Sequence, residues 1–392
     1  MKFTELYHGR LALVDLAAGT AQPVPLSRDV LERGIGGGAL ALVLAEQYPG
    51  AMFFCAGPLV GSYAPASGLM TISFPRSEGG GLVHAITPLG HGAWLRQSGF
   101  DALVVIGRSA APRVVRCLKG VCLLEDAPER DARSSRAALR ASLMRRTEEG
   151  RAALLLADGP NAALPVAAGA EYGSDPAGTL AGPAMQARNV LAVCLEGGSS
   201  LPPVSLPLDN PLRLVCSAAP GPDALAFFFR ETDRNSAPSA AFSLKSAACF
   251  HCPSPCLAWI KTGDDAHMLL ADHGAFAAAV AACGGDAPAC LAACDQAGVD
   301  PRIAGPFLMD AAVAEYSALL RAAAWNDNNA VLRPPGRRLS EAQNAGLILG
   351  VCPRLIERMP GLTREAFDAA LGGETAAILA RSQGLRGQEV FI

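Results

Sequence analysis

The chain is poor in charge and in aromatic rings: 18% of its 392 residues are charged, 6% are aromatic, and 33 basic side chains nearly balance 36 acidic ones. A net charge of −3 leaves no electrostatic footprint for nucleic acid. No run of eighteen or more uncharged apolar residues is present, so no membrane span is expected. The first ten residues lack the apolar stretch and cleavage site of a secretory signal, which makes the expected location cytoplasmic. Also missing is a Gly-x-Gly-x-x-Gly run followed by an acidic residue, which argues against a nicotinamide site. Neither a serine–histidine–aspartate order nor a metalloprotease helix motif is evident. No internal repeat or low-complexity tail stands out.

What the chain does have is cysteine, 12 in all. Without an export signal these imply a reducing compartment, hence free thiols and metal ligands rather than disulfides. Three of them fall in Cys249-Phe250-His251-Cys252-Pro253-Ser254-Pro255-Cys256. Thiolates two and three residues apart on a proline-stiffened loop can converge on one soft metal centre. An iron–sulfur cluster, a zinc ion and ordinary buried thiols are the three readings, with the cluster favoured. His251, inside the loop, is read as exposed or as an outer partner of the centre. Cys290 and Cys294 share one helical face near Cys283, and are read as small buried apolar residues rather than a second metal site. Gly34, Gly36, Gly37 and Gly38 precede a helix, where such a turn either seats a phosphate or permits close packing.

Two regimes of pattern divide the chain into expected domains at 1–205 and 206–392. The first is mixed α+β. Arg10–Leu16 reads as a strand, Ala17–Thr20 as a turn and Ala21–Leu26 as the returning partner. Leu103–Ile106 and Arg113–Cys122 read as a second such pair across a Ser-Ala-Ala-Pro turn. Leu40–Gln47 and Ala93–Ser98 read as short helices. A linker-like stretch at Gly197–Pro222, rich in glycine, serine and proline, separates the halves. The second half reads as mainly helical, over His267–Cys283, Ala287–Ala297, Pro306–Trp325, Ser340–Leu349, Arg364–Leu371 and Glu374–Ser382. Capping residues support this: Asp286 precedes Pro288, Gly298 follows Ala297 and Thr363 precedes Glu365.

Several strings, in order along the chain, together resemble the tungsten-containing aldehyde:ferredoxin oxidoreductases. They are Tyr7–Arg10 leading to Asp15-Leu16 and Gly19; Ile35-Gly36-Gly37; Gly57-Pro58-Leu59 with Gly61 and Pro65; Leu95 with Gly99-Phe100-Asp101; and Gly182–Met185 with Arg188-Asn189. The cysteine run is similar to the family's cluster loop, Asp295–Asp300 to its Asp-x-x-Gly-Leu-Asp motif, and Gly350-Val351-Cys352 to the segment carrying the fourth cluster cysteine. The resemblance implies an N-terminal mixed β-rich domain of that family's type, followed by a mainly α-helical cluster-binding domain. It implies a 4Fe–4S cluster on Cys249, Cys252, Cys256 and Cys352. It also implies a tungsten or molybdenum bis-pterin, with Asp295, Gly298, Val299 and Asp300 accepting from pterin nitrogens and Gly36 and Gly37 lining its seat. The expected activity is oxidation of an aldehyde-type substrate, with electrons passed to ferredoxin or a partner subunit.

The chain departs from the family where cationic or polar groups hold the pterins. The arginine position carries Leu69, the asparagine position Ile86 and an acidic position Leu347, and no arginine lies between Arg151 and Arg188. Each lost charge-assisted phosphate contact removes about 1.5–3 kcal/mol of binding. The stretch from Asp300 to Cys352, which in the family builds part of the substrate cavity, is compressed. Asp272 and His273 fall where the family places an acidic active-site residue, and a helix-surface pair explains them equally well. The second expectation is therefore a non-catalytic relative that keeps the cluster, as an electron relay or scaffold, without pterin.

Overall fold

A computed structural model of the protein describes residues 3–62, 64, 66–76, 81–87, 89–129, 136–147, 152–157, 181–198, 244–247, 249–252, 257–261, 268–297, 301, 304, 308–309, 311–322, 340–358, 363, 365 and 390–391. Its centre is a mixed seven-stranded sheet in the order β14-β5-β4-β3-β6-β1-β2. These strands are β1 (Arg10–Asp15), β2 (Thr20–Pro25), β3 (Met52–Ala56), β4 (Met70–Pro75), β5 (Leu82–Thr87), β6 (Ala102–Ile106) and β14 (Val390–Phe391). The expected β1–β2 hairpin forms with Arg10 opposite Pro25 and Asp15 opposite Thr20. The central strands read Met-Phe-Phe-Cys-Ala and Ala-Leu-Val-Val-Ile, apolar throughout, because both faces of the sheet are covered. Alternate residues serve opposite cores: Phe53, Cys55, Ala102 and Val104 face one, and Met52, Phe54, Leu103 and Val105 the other.

On the first face lie α1 (Arg28–Gly34) and α2 (Gly37–Gln47), together with α9 (Glu341–Leu349) and α10 (Pro353–Arg358) from late in the chain. Packing thus groups residues 341–358, and strand 390–391, with the N-terminal sheet. The second face carries α3 (His91–Gln97) and α5 (Ala181–Gln186). Beyond it is a four-stranded sheet, β8-β7-β10-β9, made of β7 (Arg113–Leu118), β8 (Val121–Asp126), β9 (Ala153–Leu156) and β10 (Val190–Glu196). Helix α4 (Arg136–Met144) closes the outer side of that sheet through Leu139 and Leu143.

The four-stranded sheet corrects one expectation. Arg113–Cys122 is not a single strand paired with Leu103–Ile106. It is broken at Lys119-Gly120, whose φ values of 47° and 77° make a two-residue hairpin turn between β7 and β8. Strand β6 instead pairs with β1 and β3.

In the second half a three-stranded antiparallel sheet, absent from the sequence reading, joins β11 (Leu244–Ala247), β12 (Leu257–Lys261) and β13 (Met268–Asp272). The expected helix from His267 therefore starts only at His273, as α6 (His273–Cys283), after Met268–Asp272 has paired with β12. Helix α7 (Ala287–Ala297) has the expected bounds, and α8 (Tyr316–Ala322) covers part of Pro306–Trp325. The expected helices at 364–371 and 374–382, and most of the linker at 197–222, lie outside the described residues. By length and composition alone, Ala275–Ala297 could cross a membrane. It is, however, two helices joined by a 3₁₀ turn at Gly284–Asp286, and Phe276, Leu291 and Cys294 supply a core shared with Tyr316 and Leu320.

One buried ion pair ties these layers together. Arg96 and Asp101 are both fully buried, 3.5 Å apart. Arg96 donates to the carbonyls of Pro58 (3.1 Å), Val60 (2.8 Å) and Leu6, while its guanidinium lies 5.5 Å from the Tyr7 ring. Asp101 accepts from the backbone N–H groups of His8, Gly9 and Arg10. Burial pushes the Asp101 carboxyl up from its ordinary value, opposed first by the Arg96 guanidinium and then by the His8 side chain and the backbone donors. Removing one partner strands the other charge, so Arg96→Met should cost about 3–5 kcal/mol of stability, read as a lowered denaturation midpoint in urea.

Candidate metal centre

The loop from Gly57 to Gly68, which Arg96 grips at Pro58 and Val60, is the platform on which two cysteine-bearing segments dock. The first is Cys249–Cys252. Here the backbone N–H of Cys252 donates to the Cys249 carbonyl at 3.0 Å, a tight turn that puts both thiols on one bend. His251 takes a left-handed φ of 50° to close it. Its carbonyl accepts from the Ala66 N–H at 3.0 Å, and its Nδ1 donates to the Ser62 carbonyl at 2.9 Å. A carbonyl can only accept, so the ring proton sits on Nδ1. That bond makes exposed His251 an anchor of the loop. Phe250 stacks on the His251 ring at 4.1 Å and packs over Gly68 and Gly90; a Cβ at Gly68 would stand 2.6 Å from the Phe250 Cβ.

The second segment arrives from α9. Ser340 caps this helix and forms a reciprocal capping box with Gln343. Gly350 ends it at φ 90°, so the chain turns sharply into Val351 and Cys352. The Leu349 carbonyl accepts from the Leu59 N–H at 3.0 Å. The approach is close enough that only glycine fits: a Cβ at Gly57 would lie 2.2 Å from the Leu349 carbonyl carbon. A Cβ at Gly350 would lie 2.2 Å from the Val60 side chain. Cys352 then leads into α10, its carbonyl accepting from Leu355 and Ile356.

Cys249, Cys252 and Cys352 are all partly buried, and Cys252 and Cys352 pack against the same core. The structure thus brings the two segments onto one loop. Cys256 lies outside the described residues. Among the described residues no three histidine, cysteine or acidic side chains converge closely enough for a single metal ion. A four-iron core spreads its ligand sulfurs more widely than one ion does, and thiolates are its natural donors.

Gly36 and Gly37 lie at the start of α2, beside this platform. A Cβ at Gly36 would stand 2.6 Å from both the Gly57 Cα and the Ile348 carbonyl oxygen. At Gly37, where φ is 51°, it would stand 2.7 Å from the Leu347 carbonyl oxygen. The positive end of α2 therefore meets the negative end of α9, a favourable alignment of helix dipoles.

Asp295 is buried in the last turn of α7. Both its carboxylate oxygens accept from Arg140 on α4, one at 3.1 Å. Arg136, one turn earlier, donates to the Asp295 carbonyl and to that of Leu156, both at 3.2 Å. The sequence signal for this clamp was the spacing of Arg136 and Arg140 four apart on a helix, which the sequence reading missed. Gly298, Val299 and Asp300 lie outside the described residues. Asp272 ends β13 and His273 opens α6. Cys290 and Cys294 are buried in the third core with Cys283 against it.

Residues 11–197 match the family model of the aldehyde ferredoxin oxidoreductase N-terminal domain. Comparison with curated proteins finds no match. Among solved structures the chain is similar to the active-site complex BamBC of benzoyl coenzyme A reductase in complex with 1,5-dienoyl-CoA, with a TM-score of 0.59 and 15% identity. The match covers 76% of this chain and 54% of that one, so the chain spans about half the length of its structural neighbour. At that identity the likeness is one of fold.

Replacing Gly57 with alanine should push the Leu349 carbonyl, and Cys352 behind it, off the platform. The expected result is protein that remains folded by circular dichroism but whose Cys352 thiol reacts faster with a water-soluble thiol reagent than in wild type.

Proposed function

With residues 11–197 being an aldehyde ferredoxin oxidoreductase N-terminal domain, we propose that this oxidoreductase relative transfers electrons through a 4Fe–4S cluster held by Cys249, Cys252, Cys256 and Cys352. The observation carrying the proposal is the docking of both cysteine segments on the Gly57–Gly68 loop, through Ser62 and Ala66 on one side and Leu59 on the other. When bound, such a cluster takes and gives single electrons at a potential set by its surroundings. The chain's own contribution is position. Arg96 fixes the carbonyls of the platform, Gly57 and Gly350 admit the Cys352 segment, and the Cys249–Cys252 turn presents two thiols together.

The electron acceptor is a ferredoxin or a partner subunit. A partner suits a chain that spans only about half of the neighbouring structure, itself described as a complex. The second reading adds a tungsten or molybdenum bis-pterin and an aldehyde-type substrate, with Gly36, Gly37, Asp295, Gly298, Val299 and Asp300 as pterin partners. Asp295, buried at a helix end, is the carboxylate this reading would use, in competition with Arg140.

Anaerobically purified protein should be brown, with broad visible absorbance and about four iron atoms per chain. Serine at Cys249 or at Cys352 should each lower that iron content and bleach the absorbance. Colourless protein carrying stoichiometric zinc and no iron would overturn the proposal.

A further inference from the structure

The three positions at which the family resemblance calls for an arginine, an asparagine and an acidic residue are far apart in sequence, yet here they touch. Leu69, Ile86 and Leu347 are 3%, 3% and 0% exposed and pack as one aliphatic cluster, with Cys352 against it. We propose that this cluster is a plug: the seat of the family's metal–pterin is filled by the chain's own side chains, so no pterin is bound there. The inference rests on the family relationship and not on the state of the cysteines.

Three features of the surroundings point the same way. Leu69 is built into the fold. The carbonyl of Gly68 beside it accepts from the Gly92 N–H at 2.8 Å, and a Cβ at Gly92 would stand 2.2 Å from the Leu69 carbonyl oxygen. Helix α3 therefore presses directly on this segment. The start of α2 offers the N–H groups and positive dipole end that would attract a phosphate. That end already faces the Leu347 and Ile348 carbonyl oxygens, which stand 2.7 and 2.6 Å from where a Cβ at Gly37 and at Gly36 would lie. Finally, the Asp295 carboxylate, assigned by the resemblance to pterin nitrogens, is held at both oxygens by Arg140.

The chemistry of the change is coherent. A pocket that had merely lost one phosphate donor would leave the other buried polar groups unpaired, at a cost to the fold. Replacing all three by aliphatics that pack on one another removes that cost and gains apolar contact. The same replacement makes the seat hostile to a charged ligand, because a phosphate placed against Leu69, Ile86 and Leu347 would lose its hydration without gaining a donor. What remains behind Cys352 is an aliphatic wall, with the buried Thr71 hydroxyl near it beside Gly37. Such a shell restricts water at one side of a cluster and thereby influences its potential.

The test uses the full chain, expressed anaerobically with tungstate and with molybdate, and assayed for iron, tungsten, molybdenum and the fluorescent pterin released by oxidation. Iron without tungsten, molybdenum or pterin is expected. Stoichiometric pterin with either metal overturns the plug and leaves the cluster reading standing. Absence of iron overturns the cluster reading and leaves the plug intact. Thermal unfolding supplies a readout independent of cofactor supply. Leu347→Asp and Leu69→Arg should each lower the midpoint by several degrees, while Leu347→Met should leave it near wild type. Unchanged midpoints in both polar variants would show an open, hydrated pocket and refute the plug.

Discussion

The guanidinium of Arg96 is the constraint on which the rest of the architecture turns. A fully buried charge is tolerable only when it is paired and most of its donors are occupied. Here Asp101 supplies the pairing 3.5 Å from Nε, and the carbonyls of Pro58, Val60 and Leu6 take the hydrogen bonds of the two terminal nitrogens. The carbonyls of Pro58 and Val60 lie in a turn and that of Leu6 ends a short 3₁₀ helix, so the arginine supplies the donors that strand pairing would otherwise give them. Asp101 in turn collects the N–H groups entering β1. One ion pair thus sets where the sheet begins and where the loop after β3 runs. Tyr7, whose hydroxyl donates to the Ile35 carbonyl, extends the same network to the turn before α2.

Because the loop is fixed, what docks on it is fixed as well. The two cysteine segments combine the same means in different proportion. The Cys249–Cys252 turn is held by hydrogen bonds to Ser62 and Ala66, with Phe250 packed on Gly68. The Cys352 segment has one hydrogen bond, from Leu59 to Leu349, and otherwise a steric fit in which Gly57 and Gly350 allow backbone to meet backbone and side chain. The division has a physical reason. A short irregular turn has polar groups to satisfy but little apolar surface, whereas the end of α9 brings Leu347, Ile348 and Leu349 into cores already formed. The late helix is therefore part of the N-terminal core, even though residues beyond about 205 read as a separate region.

Legibility in the sequence followed the range of the forces involved. The β1–β2 hairpin could be read because its turn, Ala17–Thr20, and its partner strand are adjacent. The bounds of α7 were marked by Pro288 near the start and Gly298 after the end, while the helix expected over Ser340–Leu349 begins at Glu341 with Ser340 as its cap. Met268–Asp272 was read as the start of a helix because an apolar stretch carries no period of its own, and only pairing with β12 makes it a strand. Lys119-Gly120 lay inside a run of β-forming residues, and a lysine at positive φ is a weak turn signal. Of the candidate site, the cysteine spacing was legible. The Ser62 and Ala66 contacts, the Arg140 clamp and the Arg96–Asp101 pair were not, since each joins residues distant along the chain.

Leu69, Ile86 and Leu347 show how the two kinds of information combine. As single letters each could be a drifted position, and each has an aliphatic neighbour in the same string. Their meeting in space changes the argument, because independent losses scattered over a pocket would not be expected to fill one another's voids. Close packing demands complementary volume, and a gap left by an absent ligand costs stability. A chain that held a charged cofactor there would need donors at those positions. Three aliphatic side chains in contact beside Cys352 offer none, which is what the proposed plug requires.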